Sequence, residues 1–368
     1  MLRFGAFLAV FFHHALPGFE LKHHVGNVVV FLRLEMWVKE AGGFGVCLFF
    51  LLSAYLITEL LERERQTIGR IHVGWFYIRR MLRIWPLYFS FLTVAVLFGM
   101  LAHSYRVEPA RIWAFLLLAG NWYVASTGCG ANLIAPLWSI SVEEQFYLTW
   151  PWVAKRSKRL LLWSSVILLP LSWLAILVFS HKASLNRGIW VNSFVQFQFF
   201  GLGALLALAL RGRVPQLKPI LRMALVVSGI LLWVIVSGIL PIKDDSLRLS
   251  ALPLIMGYAL VALGCGLLFL GFLGARMSFA APLIYLGKIS YGLYVFHMLA
   301  IDLAWRIIAP QAHSEIANLG SMWRMGIRFL SVQTLAISLT VCLAMLSYRF
   351  LEYPFLRLKN RFTFVKSA

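Results

Sequence analysis

The chain has 368 residues, 61% of them hydrophobic and only 13% charged, with a mean hydropathy of +0.81. Repeated apolar runs of about 20 residues exclude a soluble globule and predict an all-α polytopic integral membrane protein. The balance of 34 Lys+Arg against 14 Asp+Glu, a net charge of +20, would suggest nucleic acid in a soluble chain; here the basic residues sit between spans with no RNA- or DNA-binding motif, so no nucleic-acid partner is expected.

In chain order, apolar spans are predicted near 2–19, 43–61, 81–102, 111–127, 136–154, 160–180, 192–210, 220–240, 250–273, 283–308 and 329–350. If the N-terminus is cytoplasmic and all of them cross, the basic loop "KRSKR" at 155–159 falls outside, against the positive-inside rule. Folding 111–127 back as a re-entrant segment removes the conflict, because its apolar core is of half length and the Gly/Ser/Asn-rich "ASTGCGAN" follows it. About ten transmembrane helices then remain, with both termini cytoplasmic. Of the 34 Lys+Arg, 22 fall on the cytoplasmic side and 12 on the outer side, in loops around 20–40, 103–110, 181–191, 241–249 and 309–328. With no internal repeat or low-complexity tract, a single membrane-embedded domain over 1–368 is expected, with no separate soluble domain. A cleaved signal peptide at 1–17 competes with the first span, although paired histidines would be unusual in its apolar core. Cys47, Cys129, Cys265 and Cys342 are single and far apart, so they read as small buried residues and no metal is expected.

The first span, "LRFGAFLAVFFHH", carries Arg3, His13 and His14. Arg3 and His14 are eleven residues apart, nearly three helical turns, so they share one face about 16 Å apart, while His13 points about 80° away. Ionisable groups inside a membrane are expensive and read as functional. Such a stripe could hold a phosphorylated carrier at the water interface while its reactive end reaches a neutral imidazole, the right species for a general base. Interhelical hydrogen bonding is the plainer reading, and the better one for His13.

"GWFYIRRMLRIWPLYF" sets Arg79, Arg80 and Arg83 at the mouth of the third span, with Arg79 and Arg83 on one face at i and i+4. They serve either as positive-inside anchors or as a clamp for the phosphates of a nucleotide-bearing donor. "PLWSISVEEQFYLTWPW" places Glu143 and Glu144 at the outer end of a span. Ser141-x-x-Glu144 reads as a capping box, which leaves Glu143 to orient a histidine or a substrate hydroxyl. Ser53 reads first as a hydroxyl bonded back to its own helix, His297 in "YVFHMLAI" as a packed histidine, and Glu352 as the partner of Arg349.

Six stretches, "LRFGAFLAVFFHH", "GGFGVCLFFLLSAYLI", "FYIRRMLRIWPLY", "LWSISVEEQFYLTWP", "ISYGLYVFHMLAI" and "SYRFLEYPF", stand in the order found in membrane-bound acyltransferase family 3. The resemblance spans nearly the whole chain. It implies a bacterial inner-membrane O-acyltransferase that moves an acyl group, most often acetyl, from cytoplasmic acyl-CoA to a hydroxyl of a cell-surface or exported glycan. By the same resemblance the Arg-x10-His pattern maps to Arg3 and His14, Arg-x-x-Arg to Arg80 and Arg83, Phe-Phe-x-x-Ser to Phe49, Phe50 and Ser53, and the glutamate of Trp-Ser-x-Ser-x-Glu to Glu143. The chain departs from the family in carrying Ala54 where a glycine is frequent and Cys47 where an aspartate is, and in having only two residues ahead of the arginine.

The expected catalytic groups are therefore His14 and Glu143, with Arg3, Arg80 and Arg83 holding acyl-CoA, acetyl-CoA in kind, and Ser53, Glu144 and His297 in substrate or structural support. A carbohydrate or lipid-linked glycan acceptor and membrane lipids are the expected partners, with room for a separate periplasmic protein. A transporter or flippase for a lipid-linked glycan is the alternative, because it would also use buried charges; it has no need to place an arginine and a histidine on one stripe. A purely structural membrane subunit leaves His14, Arg80 and Glu143 unexplained together.

Overall fold

A computed structural model describes residues 1–16, 27–102, 105–130, 132–182, 186–243, 247–275, 280–308 and 321–363. Among these the chain is helical throughout its regular structure, with no strand. The first helix, α1 (Leu2–Ala15), is 14 residues long and about 21 Å in length, short for a bilayer core. It is followed by α2 (Asn27–Gly42), α3 (Gly45–Ile68) and α4 (Val73–Leu101). The loop expected at 20–40 is thus largely helix where it is described, since the apolar character of "NVVVFL" continues into the next span.

The segment expected to fold back is broken into two short helices, α5 (Pro109–Leu116) and α6 (Gly120–Thr127), joined through Leu118 at φ +55°. A 3-10 turn at Ala135–Leu137 leads into α7 (Trp138–Arg156), and α8 (Lys158–Lys182), the single turn α9 (Arg187–Trp190), α10 (Ser193–Leu210), α11 (Pro219–Ile239) and α12 (Ala251–Phe272) follow. The expected run at 283–308 divides at Ile289 into α13 (Ala280–Lys288) and α14 (Ser290–Ile308). The chain then runs through α15 (Ser321–Ser347), a π-helical turn at Tyr348–Glu352 and α16 (Tyr353–Lys359). Eight of the described helical stretches are long and apolar enough to cross a membrane. The other two spans expected from sequence are α1, which is shorter, and α7, which is more polar, and neither is among those eight. The rest of the loops expected at 20–40 and 309–328 lies outside the described residues.

Close helix approach depends on small residues, the usual means of packing where lipid competes for apolar surface. A Cβ on Gly42 would come within 2.3 Å of the Ala9 carbonyl oxygen, and one on Gly45 within 2.5 Å of that of Ala6, so α1 is seated on the turn between α2 and α3. A Cβ on Gly203 of α10 would come within 2.2 Å of the Leu51 carbonyl oxygen and 3.1 Å of the Ala54 Cβ. The glycine that lets these two helices touch therefore stands on α10, opposite Ala54. Cys47 is buried and its thiol donates to the side-chain amide oxygen Oε1 of Gln196 at 3.9 Å. Cys265 is also buried, but Cys342 is exposed, contrary to its expected burial, on a face whose neighbours Met345 and Leu346 are exposed as well. Exposed Leu160, Trp163, Ile167 and Leu174 give α8 an apolar outer face suited to lipid.

Candidate active site

Three adjoining cavities run through the bundle beside α1. The first, about 1190 Å³, is lined by Arg3, Arg79, Arg80, Arg83, Glu64 and Lys359 among others. The second, about 660 Å³, shares Arg3, Ser53, Arg80, Arg83 and Tyr147 with it and adds Glu143, Phe49, Phe50 and Tyr294. The third, about 1430 Å³, shares Val46 and Tyr294 with the second and contains His13, His14, Lys243 and Arg306. Arg3 and His14 thus line adjoining cavities toward the two ends of α1, with Val10 of the same helix also on the wall of the third. The helical spacing of 3, 10 and 14 repeats at seven and four residues, which keeps them on one face.

At the arginine end, α4 presents successive side chains with different fates. Arg79 donates to Glu64 Oε2 at 2.7 Å and to the Phe362 carbonyl at 2.8 Å. Glu64 is buried and its charge is matched by Arg79, so of the three arginines read together as a possible clamp Arg79 is paired, while Arg80 and Arg83 line both of the first two cavities. Arg80 lies 5.6 Å from the Phe76 ring centroid and 5.8 Å from that of Tyr147. Among the described residues, the Nε atoms of both Arg3 and Arg80 are buried without a hydrogen-bond partner. Buried unpaired donors on cations are costly and mark a place for an anion.

Glu143 stands among these cations and not at the outer end of a span, because the helix that carries it starts deep in the bundle after the 3-10 turn. Its Oε1 accepts from Ser53 Oγ at 2.7 Å and its Oε2 from Tyr147 OH at 3.0 Å. The Ser53 hydroxyl is therefore spent on Glu143 and not on its own helix. No hydrogen bond joins Glu143 to a histidine among the described residues, so it does not orient His14 directly. The capping box is absent as well: the helix is capped at Leu137, Ser141 Oγ accepts from the Gly120 amide at 3.2 Å, and Glu144 Oε2 accepts from Trp85 Nε1 at 3.2 Å. Ser141 already lies one turn inside the helix, where its hydroxyl is free to serve the re-entrant segment. Glu352 accepts from Ser347 Oγ at 3.3 Å in place of pairing with Arg349, whose guanidinium lies over Phe350. The π turn rotates the two side chains apart.

At the histidine end, the two adjacent imidazoles differ. His13 Nδ1 lies 3.0 Å from the Lys39 carbonyl, which can only accept, so this nitrogen carries the proton. Its Nε2 accepts from Lys243 Nζ at 3.2 Å, and both ring nitrogens are occupied. Lys243 also donates to the Glu40 carbonyl at 3.0 Å and lies over Phe44 and Trp190. Its burial in the loop between α11 and α12 pulls its pKa below the ordinary lysine value, against the pull of Glu40. His14 makes no hydrogen bond among the described residues, and its accessible surface faces the third cavity. Its ring centroid is 5.3 Å from that of His297. His297 is fully buried, its Nδ1 donates to the Tyr294 carbonyl at 2.6 Å, and its Nε2 is left as a buried acceptor without a partner. His297 is more than packing: it offers an acceptor beside His14.

The comparisons agree with this architecture. The family described as the acyltransferase domain of acyltransferase family 3 matches residues 1–349. The chain belongs to that family. A Listeria monocytogenes protein named peptidoglycan O-acetyltransferase OatA is 27% identical over 342 residues, covering 86% of this chain and 52% of the relative. A Staphylococcus aureus protein named O-acetyltransferase OatA is 26% identical over 363 residues, covering 92% of this chain and 56% of the relative. The chain spans about half the length of the curated relatives it matches. No solved structure matches it.

Several site residues carried no sequence signal that was used. Tyr147 stands four residues after Glu143, a helical spacing that would have found it. Tyr294, Lys243 and Lys359 come from distant segments that only the fold brings to the cavities.

Proposed function

We propose that this acyltransferase-family chain is a membrane O-acyltransferase that takes an acetyl group from acetyl-CoA at the arginine end and delivers it to a glycan hydroxyl at the histidine end. The observation that carries this reading is the series of three adjoining cavities beside α1, with a cluster of incompletely paired cations at one end and, among the described residues, a histidine without a hydrogen bond at the other. The arginine end faces the cytoplasm of a bacterial inner membrane, in keeping with the positive-inside rule, and both termini lie on that side.

The donor's phosphates rest against Arg3, Arg80 and Arg83, and its arm follows the α1 face for about 16 Å toward His14. Glu143, held by Ser53 and Tyr147, fixes the register of Arg3 and Arg80 around the arm. A neutral His14, its ring centroid 5.3 Å from that of His297, serves as the base for the acceptor hydroxyl. The hydroxyl oxygen attacks the thioester carbonyl, its proton passes to His14, and the CoA thiolate leaves. CoA thus stays on the side from which it came. The Listeria monocytogenes relative, named a peptidoglycan O-acetyltransferase, supports a glycan such as peptidoglycan as the acceptor class.

Transfer of label from acetyl-CoA in inverted membrane vesicles tests the proposal, with His14→Ala and His13→Ala compared at matched expression. Loss of transfer in His14→Ala alone is the expected result. If the unaltered protein never consumes acetyl-CoA, the donor is wrong and the lipid-linked glycan flippase becomes the better reading.

A further inference from the structure

Phosphate recognition at the arginine end extends to a segment that sequence reasoning left as a topology signal. Lys359, the last residue of α16, lines the first cavity together with Arg80 and Arg83, although 276 residues separate it from Arg83. Its place is fixed by three contacts. Arg79 donates to the Phe362 carbonyl at 2.8 Å, Trp75 meets the Phe362 ring edge-on at 6.1 Å, and Thr363 Oγ1 donates to the Lys359 carbonyl at 3.0 Å. The π turn before α16 widens the helix just where the chain must turn across α4.

The cations of this cavity fall into three groups. Arg79 is matched by the buried Glu64 and takes no part in binding an anion. Arg3, Arg80 and Arg83 line both the first and the second cavity and so stand at the junction that a donor's arm must pass. Lys359 lines the wide first cavity and not the narrow second one. A cation there lies near enough to Arg83, Arg80 and Arg79 to add to their mutual repulsion, which a further anion beside it would relieve.

We propose that Lys359 forms a separate phosphate subsite in which the 3′-phosphate of a CoA-type donor is held, so that the site selects donors by the phosphate on the ribose as well as by the diphosphate. The inference rests on the acetyl-CoA reading above. The diphosphate is bound by the three arginines at the junction, and the ribose phosphate turns outward to the lysine. Acyl thioesters on carriers that lack this phosphate lose one charge-assisted contact.

The test measures kcat/KM in inverted vesicles for acetyl-CoA and for acetyl-3′-dephospho-CoA, with the unaltered protein, Lys359→Met and Lys359→Arg. The unaltered protein is expected to favour acetyl-CoA by about tenfold or more, the size of one charge-assisted hydrogen bond. Lys359→Met should raise KM for acetyl-CoA by about tenfold with kcat unchanged, leave the dephospho substrate within about twofold, and so erase the preference; Lys359→Arg should keep it. Equal losses on both substrates, or no loss on either, would overturn the subsite while leaving the acetyl-CoA reading intact. Failure of the unaltered protein to use either thioester would overturn that reading and the subsite with it.

Discussion

The cavities toward the two ends of the same short helix hold their charges differently. At the arginine end only Arg79 has a carboxylate to itself, and Arg3 and Arg80 keep buried donors without partners. At the histidine end Lys243 lies beside Glu40 and His13, and Arg306 beside Asp302 at 3.0 Å, whose other contact is Tyr105. The junction of the first two cavities thus gathers Arg3, Arg80 and Arg83 around Glu143, whereas Lys243 and Arg306 each have a carboxylate beside them. The contrast teaches that a run of basic residues has to be divided by partner before it can be called a binding site.

The largest effect that would sharpen this contrast is His14→Ala, which should lower kcat for acetyl transfer by about 10³-fold, the usual size of general-base loss, with KM for acetyl-CoA nearly unchanged. A KM effect of comparable size would mean that the two ends are not separate. Arg80→Gln should act in the opposite way, raising KM for acetyl-CoA by about 10- to 100-fold through loss of a charge-assisted contact, with kcat within a few-fold. Steady-state kinetics across a range of donor concentrations distinguishes the two patterns. Ser53→Ala removes one of the two hydroxyls held by Glu143 and should cost about 1 kcal/mol of donor binding, a rise of roughly fivefold in KM, because Tyr147 remains. The smallest effect is expected for His13→Gln. An amide can reproduce only one of the two contacts of His13, so thermal unfolding in detergent should shift down by a few degrees while kcat stays within about threefold. If His13→Gln were as inactive as His14→Ala, the base would have been assigned to the wrong imidazole.

Much of the site was legible in sequence because it is local. Arg3 and His14 share a face by helical arithmetic, and the cavities follow that face. The break in 111–127 was readable from charge sidedness and small residues, and it exists as two short helices around Leu118. Glu143 was identified as the carboxylate without local employment, but its company was misjudged. Its assignment to the outer end assumed that α7 starts at a membrane surface, whereas the helix begins inside the bundle. The capping box at Ser141 and Glu144 failed for the same reason, since a spacing that fits a helix start carries no information about where the helix starts.

By itself the sequence determined the all-helical membrane architecture, the family, and the helix face that joins Arg3 to His14, because composition, motif order and helical period are properties of contiguous residues. Only the tertiary structure decided which basic residues are consumed by pairing, that Ser53 and Tyr147 hold Glu143, that His297 rather than His13 stands open beside His14, and that Lys359 reaches the arginine end. These are contacts between helices far apart in the chain. Their geometry is set by close approaches at Gly42, Gly45 and Gly203 and by turns such as the π segment before α16, and no period within one helix encodes them.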